Sequence, residues 1–121
     1  MSQRPETSVP PHDTNEVHLT GRVSSPPVAR VLPSGDQIVT FRLVVRRSAR
    51  ARRRSRQSVD SFECTAWTAA LQRRALHLAA DDLVEVRGEL RARFARGQHG
   101  LVGRVTVDLQ SLTRAPVASS P

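Results

Sequence analysis

Apolar residues recur at every second position over most of this chain, and the breaks in that rhythm mark its elements. Val17, Leu19 and, after Gly21, Val23 alternate with polar residues and predict a strand with one buried face. Pro26-Pro27 interrupts, because neither ring nitrogen can donate to a ladder, and the run resumes over Val28 to Leu32. Pro33-Ser34-Gly35-Asp36 supplies turn chemistry ahead of a second run, Ile38 to Arg46. There Phe41, Leu43 and Val45 share one face, while Thr40, Arg42, Val44 and Arg46 take the other. Ser61 to Trp67 reads the same way, with Phe62, Cys64 and Ala66 inward and Ser61, Glu63, Thr65 and Trp67 outward.

One stretch changes period. Thr68 can cap a helix running to about Ala80, in which Leu71, Ala75 and Leu78 form an apolar stripe at spacings of four and three. Leu83, Val84, Val86 and Leu90 then restart a strand that continues through Phe94. Gly97 to Gly100 makes a turn, and Leu101 to Leu109 returns as the hairpin partner. Residues 1–14 and 115–121, rich in proline and small residues, read as tails around a folded region 15–114. The expected fold is all-β: a five-stranded Greek-key OB-fold barrel with one helix between strands 3 and 4. An SH3-like barrel has no need of that helix.

A length of 121 residues bounds the chain to one domain, and its charge then becomes the informative quantity. All 19 basic residues are arginines, set against 11 acids for a net charge of +8. Seven of them, Arg46, Arg47, Arg50, Arg52, Arg53, Arg54 and Arg56, fall in one short window, outside which the charges nearly balance. A G·C-rich coding bias accounts for arginine over lysine but not for the clustering. Like-charge repulsion and the lack of apolar residues predict a flexible Arg-rich loop over 46–60. Clustered guanidinium groups attract polyanions at long range and grip phosphate at short range, so nucleic acid is the first partner to consider. The plainer role for such a run is a solvated, solubilising insertion.

Other classes find no support. No apolar run approaches a membrane span and the first 15 residues hold no secretory core, so a cytoplasmic protein without membrane contact is expected. Cys64 is the only cysteine, which excludes an intramolecular disulfide framework and a thiolate-rich zinc site. His12, His18, His77 and His99 show no metal-ligand spacing, and Asp81-Asp82 reads as a solvated turn rather than an acid and base pair. There is no Gly-rich phosphate loop and no nucleophile elbow. A non-enzymatic protein is expected, with no catalytic residue, metal or cofactor.

Five segments together resemble the bacterial single-stranded DNA-binding protein family: Asn15 to Val23, Ala29 to Gly35, Val39 to Val45, Cys64 to Trp67, and Val84 to Arg93 with its Val-x-Val-x-Gly-x-Leu-x-x-Arg pattern. The resemblance covers residues 15 to 114 in order. It implies binding of single-stranded DNA without marked sequence preference, by a homo-oligomer that is commonly a tetramer. It also implies aromatic platforms, since every base offers a π-face and stacking adds about 1–3 kcal/mol per base.

The family's stacking positions carry over incompletely. Trp67 matches one of them, and strand alternation independently sets it apart from Phe62 and Cys64; a core tryptophan at a strand end is the plainer alternative. Ser61 stands where the family has a large aromatic, and Phe62 reads as core packing. Another position falls on Phe94 or Ala95, and Phe94 stands between base stacking and an edge of the core. With aromatics at 3% of the chain, planar guanidinium groups can stand in, since they stack on bases while pairing with phosphate. The candidate binding set is therefore Arg42, Arg46, Arg47, Arg50, Arg52, Arg53, Arg54, Arg56, Trp67, Arg91, Arg93 and Phe94. Many family members end in an acidic tip that recruits enzymes; with no acid after Asp108, that recruitment is not expected here. The reading is single-stranded DNA binding and protection in replication, recombination or repair. Two alternatives stay open: a single-stranded RNA binder, and an OB-fold interaction or assembly subunit whose arginines meet an acidic protein.

Overall fold

In the computed structural model, which describes residues 13–97 and 100–115, the alternating runs become six strands. They are β1 (Val17–Val23), β2 (Val28–Val31), β3 (Gln37–Arg46), β4 (Val59–Ala66), β5 (Leu83–Gly97) and β6 (Gly100–Arg114). Two helices join them, α1 (Ala49–Arg53) between β3 and β4 and α2 (Ala69–Leu76) between β4 and β5. The N-terminal tail up to residue 12, most of the C-terminal tail, the turn residues 98–99 and the Ala95 side chain lie outside the described residues.

Neighbouring strands run β1-β5-β6-β4-β3-β2, and a further pairing of β1 with β3 closes the sheet on itself. On β3, Val23 of β1 faces Leu43 and Val28 of β2 faces Thr40, so β1 and β2 lie end to end along one edge. They form a single barrel strand broken at the two prolines. Counted that way, five strands close the barrel and α2 sits between its third and fourth, in a Greek-key arrangement with β4 and β6 parallel. Closure needs two glycines: a Cβ at Gly21 would lie 2.3 Å from the Val44 carbonyl oxygen, and one at Gly88 2.1 Å from that of Asp108.

The inward residues of the alternating runs fill the barrel. Val23, Leu43, Cys64, Val84, Val86 and Val107 are completely buried, and each large aliphatic among them contributes about 1.5–3 kcal/mol relative to exposure. α2 plugs one end with Leu71 and Ala75. Thr68 caps it as expected, its hydroxyl accepting from the Leu71 amide at 3.2 Å, but the helix stops at Leu76 rather than near Ala80. Leu78 still reaches the core from the turn that follows. No helix among the described residues is long and apolar enough to cross a membrane.

Two elements differ from the expectation. The segment 46–60 is not loop throughout: β3 runs to Arg46, β4 starts at Val59, and between them α1 forms where only repulsion was expected. Ser48 accepts from the Ala51 amide at 3.2 Å, and alanine and arginine are both good helix formers, which suffices for one turn. The last hairpin is also longer than the alternation suggests. Arg87 pairs with Ser111 but Gly88 with Leu109, so Gln110 is an extra residue that switches the face of β6 and turns Leu112 into the core.

Candidate nucleic-acid interface

Strand alternation fixes which side chains share the outer face of the barrel. Glu63 lies opposite Arg42 on β3 and Thr106 on β6, while Thr106 lies opposite Arg91 and Arg104 opposite Arg93 on the β5–β6 hairpin. Trp67 follows directly on β4. Its backbone is held from behind by Gln72 of α2, whose amide donates to the carbonyls of Gln37, Ala66 and Trp67 at 2.7–3.2 Å.

A cavity of about 190 Å³ opens between Trp67 on one side and Arg30, Arg93 and Arg104 on the other, with Thr65 and Thr106 beneath. It continues into a second hollow of about 230 Å³ beside Arg42, through the shared walls Arg30, Glu63 and Arg104. The groove so formed is guanidinium-lined, with carboxylates set among the cations. Trp67 donates its indole N–H to Asp108 Oδ1 at 3.2 Å, and Arg91 Nε donates to Oδ2 of the same carboxylate at 3.1 Å. That hydrogen bond, helped by the charges of Asp108 and Glu89, holds the Arg91 guanidinium above its ordinary pKa. Arg104 is paired to Glu63 at 2.8 Å, and Arg42 donates to the Ser61 hydroxyl at 3.1 Å.

The candidate residues therefore divide. Arg42, Trp67 and Arg93 line the groove, and Arg91 stands beside it tied to Asp108. Trp67 is 37% exposed, with its indole nitrogen turned to the outer face rather than into the core. Arg46 lines a different hollow with Arg22 and Val59. Arg47 closes the neck of the arginine segment with a two-pronged pair to Asp60 at 2.7–3.0 Å. Its hydrogen bond to Arg47 holds the Asp60 carboxyl below its usual range, and the guanidinium rises correspondingly. Arg50, Arg52, Arg53, Arg54 and Arg56 are exposed on and after α1, and among the described residues none of them forms an ion pair. Phe94 is 70% exposed, so it is no edge of the core; it lies against Gly103, on the face of β5 opposite Arg93 and away from the groove.

The family model described as the single-strand binding protein family matches residues 14–113. The chain belongs to this family. Single-stranded DNA-binding proteins of Bacillus cereus and Bacillus anthracis are each 34% identical to it over 86 residues, which is 71% of this chain. The aligned region is 50% and 49% of those relatives, so the chain spans about half their length. Among solved structures, the fold matches a Plasmodium falciparum SSB in complex with ssDNA (TM-score 0.70, 21% identity, 88% of this chain and 98% of that one). It also matches a small single-stranded DNA-binding protein of Streptomyces coelicolor (TM-score 0.62, 24% identity, 83% and 93%). These two likenesses show the OB-fold.

As a single-strand binding family member, the chain has groove walls that sequence reasoning missed: Arg30, Arg104, Glu63 and Thr106. Arg30 and Arg104 are lone arginines in alternating runs, indistinguishable locally from solvated positions. They meet only because β2 borders β3 and β6 borders β4, so the two strands frame the outer face of the β3–β4 pair from its opposite edges. The one available signal was the outward parity that each shares with its own strand's polar residues.

Proposed function

We propose that this protein binds single-stranded DNA without sequence preference, as a non-enzymatic protein that covers exposed strands in cytoplasmic replication, recombination or repair. The observation that carries the reading is Trp67 standing beside a groove walled by Arg30, Arg42, Arg93 and Arg104. An aromatic face takes any base, while guanidinium groups follow the phosphates. The five arginines on and after α1, which form no ion pair among the described residues, add exposed positive charge for phosphates. Family membership and the relatives' names point the same way. A homo-oligomer, tetrameric by family resemblance, is part of the proposal, and exposed apolar residues on β2 (Val31) and on the hairpin (Leu90, Val105) supply surface for it.

The test is titration of Trp67 fluorescence with oligo-dT and with duplex DNA at two salt concentrations, alongside light scattering. Quenching by oligo-dT, weaker binding to duplex and a steep fall of affinity with salt are expected. Binding to duplex equal to that of oligo-dT overturns the reading, and a monomer by light scattering removes its oligomeric part. Competition by oligo-U at equal strength moves the assignment to RNA as well as DNA.

A further inference from the structure

Thr106 is 4% exposed, and its hydroxyl oxygen is the one buried side-chain oxygen or nitrogen among the described residues with no hydrogen-bond partner. Buried hydroxyls are nearly always paired, because an unpaired one gives up its hydration for nothing. This one lies under the Trp67 groove, whose walls include Thr106 itself. The strand register places an ion pair next to it. Glu63 stands directly across from Thr106 on β4, and Arg104, two residues earlier on the same face of β6, reaches over to Glu63 at 2.8 Å. The ion pair thus runs alongside Thr106 on the same face. Arg104 is largely exposed and its carboxylate partner is not, so the arginine is the partner free to move.

We propose that the Thr106 hydroxyl is a hydrogen-bonding site for the edge of one nucleobase. It becomes accessible when a phosphate draws Arg104 away from Glu63. The inference rests on the reading of the groove as a single-strand site and adds a base contact to it. A base whose face meets Trp67 turns its edge towards the groove floor, where Thr106 lies. A hydroxyl rotates to donate to a ring nitrogen or carbonyl and equally accepts from an exocyclic amine, so this contact serves all bases and keeps the site sequence-tolerant. The orphan oxygen is then unpaired only in the free protein, and the strand supplies its partner.

The test uses two variants and two probes. Thr106→Val keeps the shape and the β-branched preference for a strand but removes the oxygen; Thr106→Ser keeps the hydroxyl. The probes are oligo-dT and an oligonucleotide of the same length made of abasic sites, which carries the phosphates without bases. Thr106→Val is expected to lose roughly 2- to 12-fold in affinity for oligo-dT, the worth of one hydrogen bond. It should keep its affinity for the abasic strand, and Thr106→Ser should bind oligo-dT as the unaltered protein does. The melting temperature of Thr106→Val should not fall, since an unpaired buried oxygen has been removed; this shows that the loss is not misfolding. Unchanged binding of oligo-dT by Thr106→Val, or an equal loss on both probes, overturns the proposal. Failure of the unaltered protein to bind oligo-dT at all is a different result and overturns the groove reading itself.

Discussion

Trp67 and Asp108 are joined across β4 and β6 by a 3.2 Å hydrogen bond from the indole nitrogen to a carboxylate oxygen. The same carboxylate holds Arg91, so the only tryptophan and the arginine beside the groove share an anchor. The pair fixes the nitrogen edge of the indole on the outer face of the barrel, with the residue 37% exposed. Trp67→Ala should weaken oligo-dT binding by roughly 5- to 150-fold, the range that stacking of one base represents. Asp108→Ala should lower the fluorescence anisotropy of the free protein, because the indole loses its tether. An unchanged anisotropy argues that packing alone orients the ring.

Replacing Arg50, Arg52, Arg53, Arg54 and Arg56 together by serine should flatten the dependence of affinity on salt. Each phosphate that is no longer neutralised by an arginine lowers the slope of log affinity against log salt by about 0.7, so the slope falls by up to about 3.5. Arg47 is left out because it is already committed to Asp60. A slope that does not move makes this segment a solubilising insertion.

Asp60 is lowered by its hydrogen bond to Arg47, so the pair contributes stability above the ordinary carboxylate pKa and loses it as pH falls through the depressed value. Acidification should therefore loosen the neck of the arginine segment before the barrel. Amide exchange at Arg47, whose N–H donates to the Ser58 carbonyl, reports it, and Asp60→Asn should speed that exchange even at neutral pH.

Cys64 titrates in the opposite sense. Burial is the main cause that pushes its thiol from 9.0 up to about 12. The unfolded chain loses this proton first, so stability is full below the unfolded value and falls as pH rises towards about 12. A thiol reagent at mildly alkaline pH should react at the rate of unfolding, and reaction as fast as that of a free thiol contradicts the burial.

Gly88→Ala should destabilise the barrel by roughly 3 kcal/mol or more, since the added methyl meets backbone rather than a side chain that can swing away. Gly35, in its turn with φ of +94° and open space around it, should cost only about 1 kcal/mol on the same change. Thermal melts of the two variants make the comparison.

The strands and the Thr68 cap were legible because period-two burial and capping are local patterns. What escaped was set by pairing between distant strands. The bulge at Gln110 breaks the alternation, so β6 reads as ending at Leu109 although its core face resumes at Leu112. Arg30, Arg104 and Thr106 become one site only through the pairing of β2 with β3 and the parallel meeting of β4 and β6, which no local window contains. Helix α1 was hidden for the opposite reason: charge repulsion masked the intrinsic helical preference of alternating alanine and arginine.

The Arg47–Asp60 clasp gives the arginine segment a boundary. Both ends are fastened to adjacent strands, so its tip travels at most about 20 Å from the barrel, half the contour of the dozen or so residues between. A free basic tail sweeps a far larger volume and tangles with any polyanion it meets. A fastened one acts only on a strand already against the barrel, where one arginine seated on a phosphate holds its neighbours close to the next. The clasp therefore favours retention over capture: it should slow a strand's departure more than it speeds its arrival.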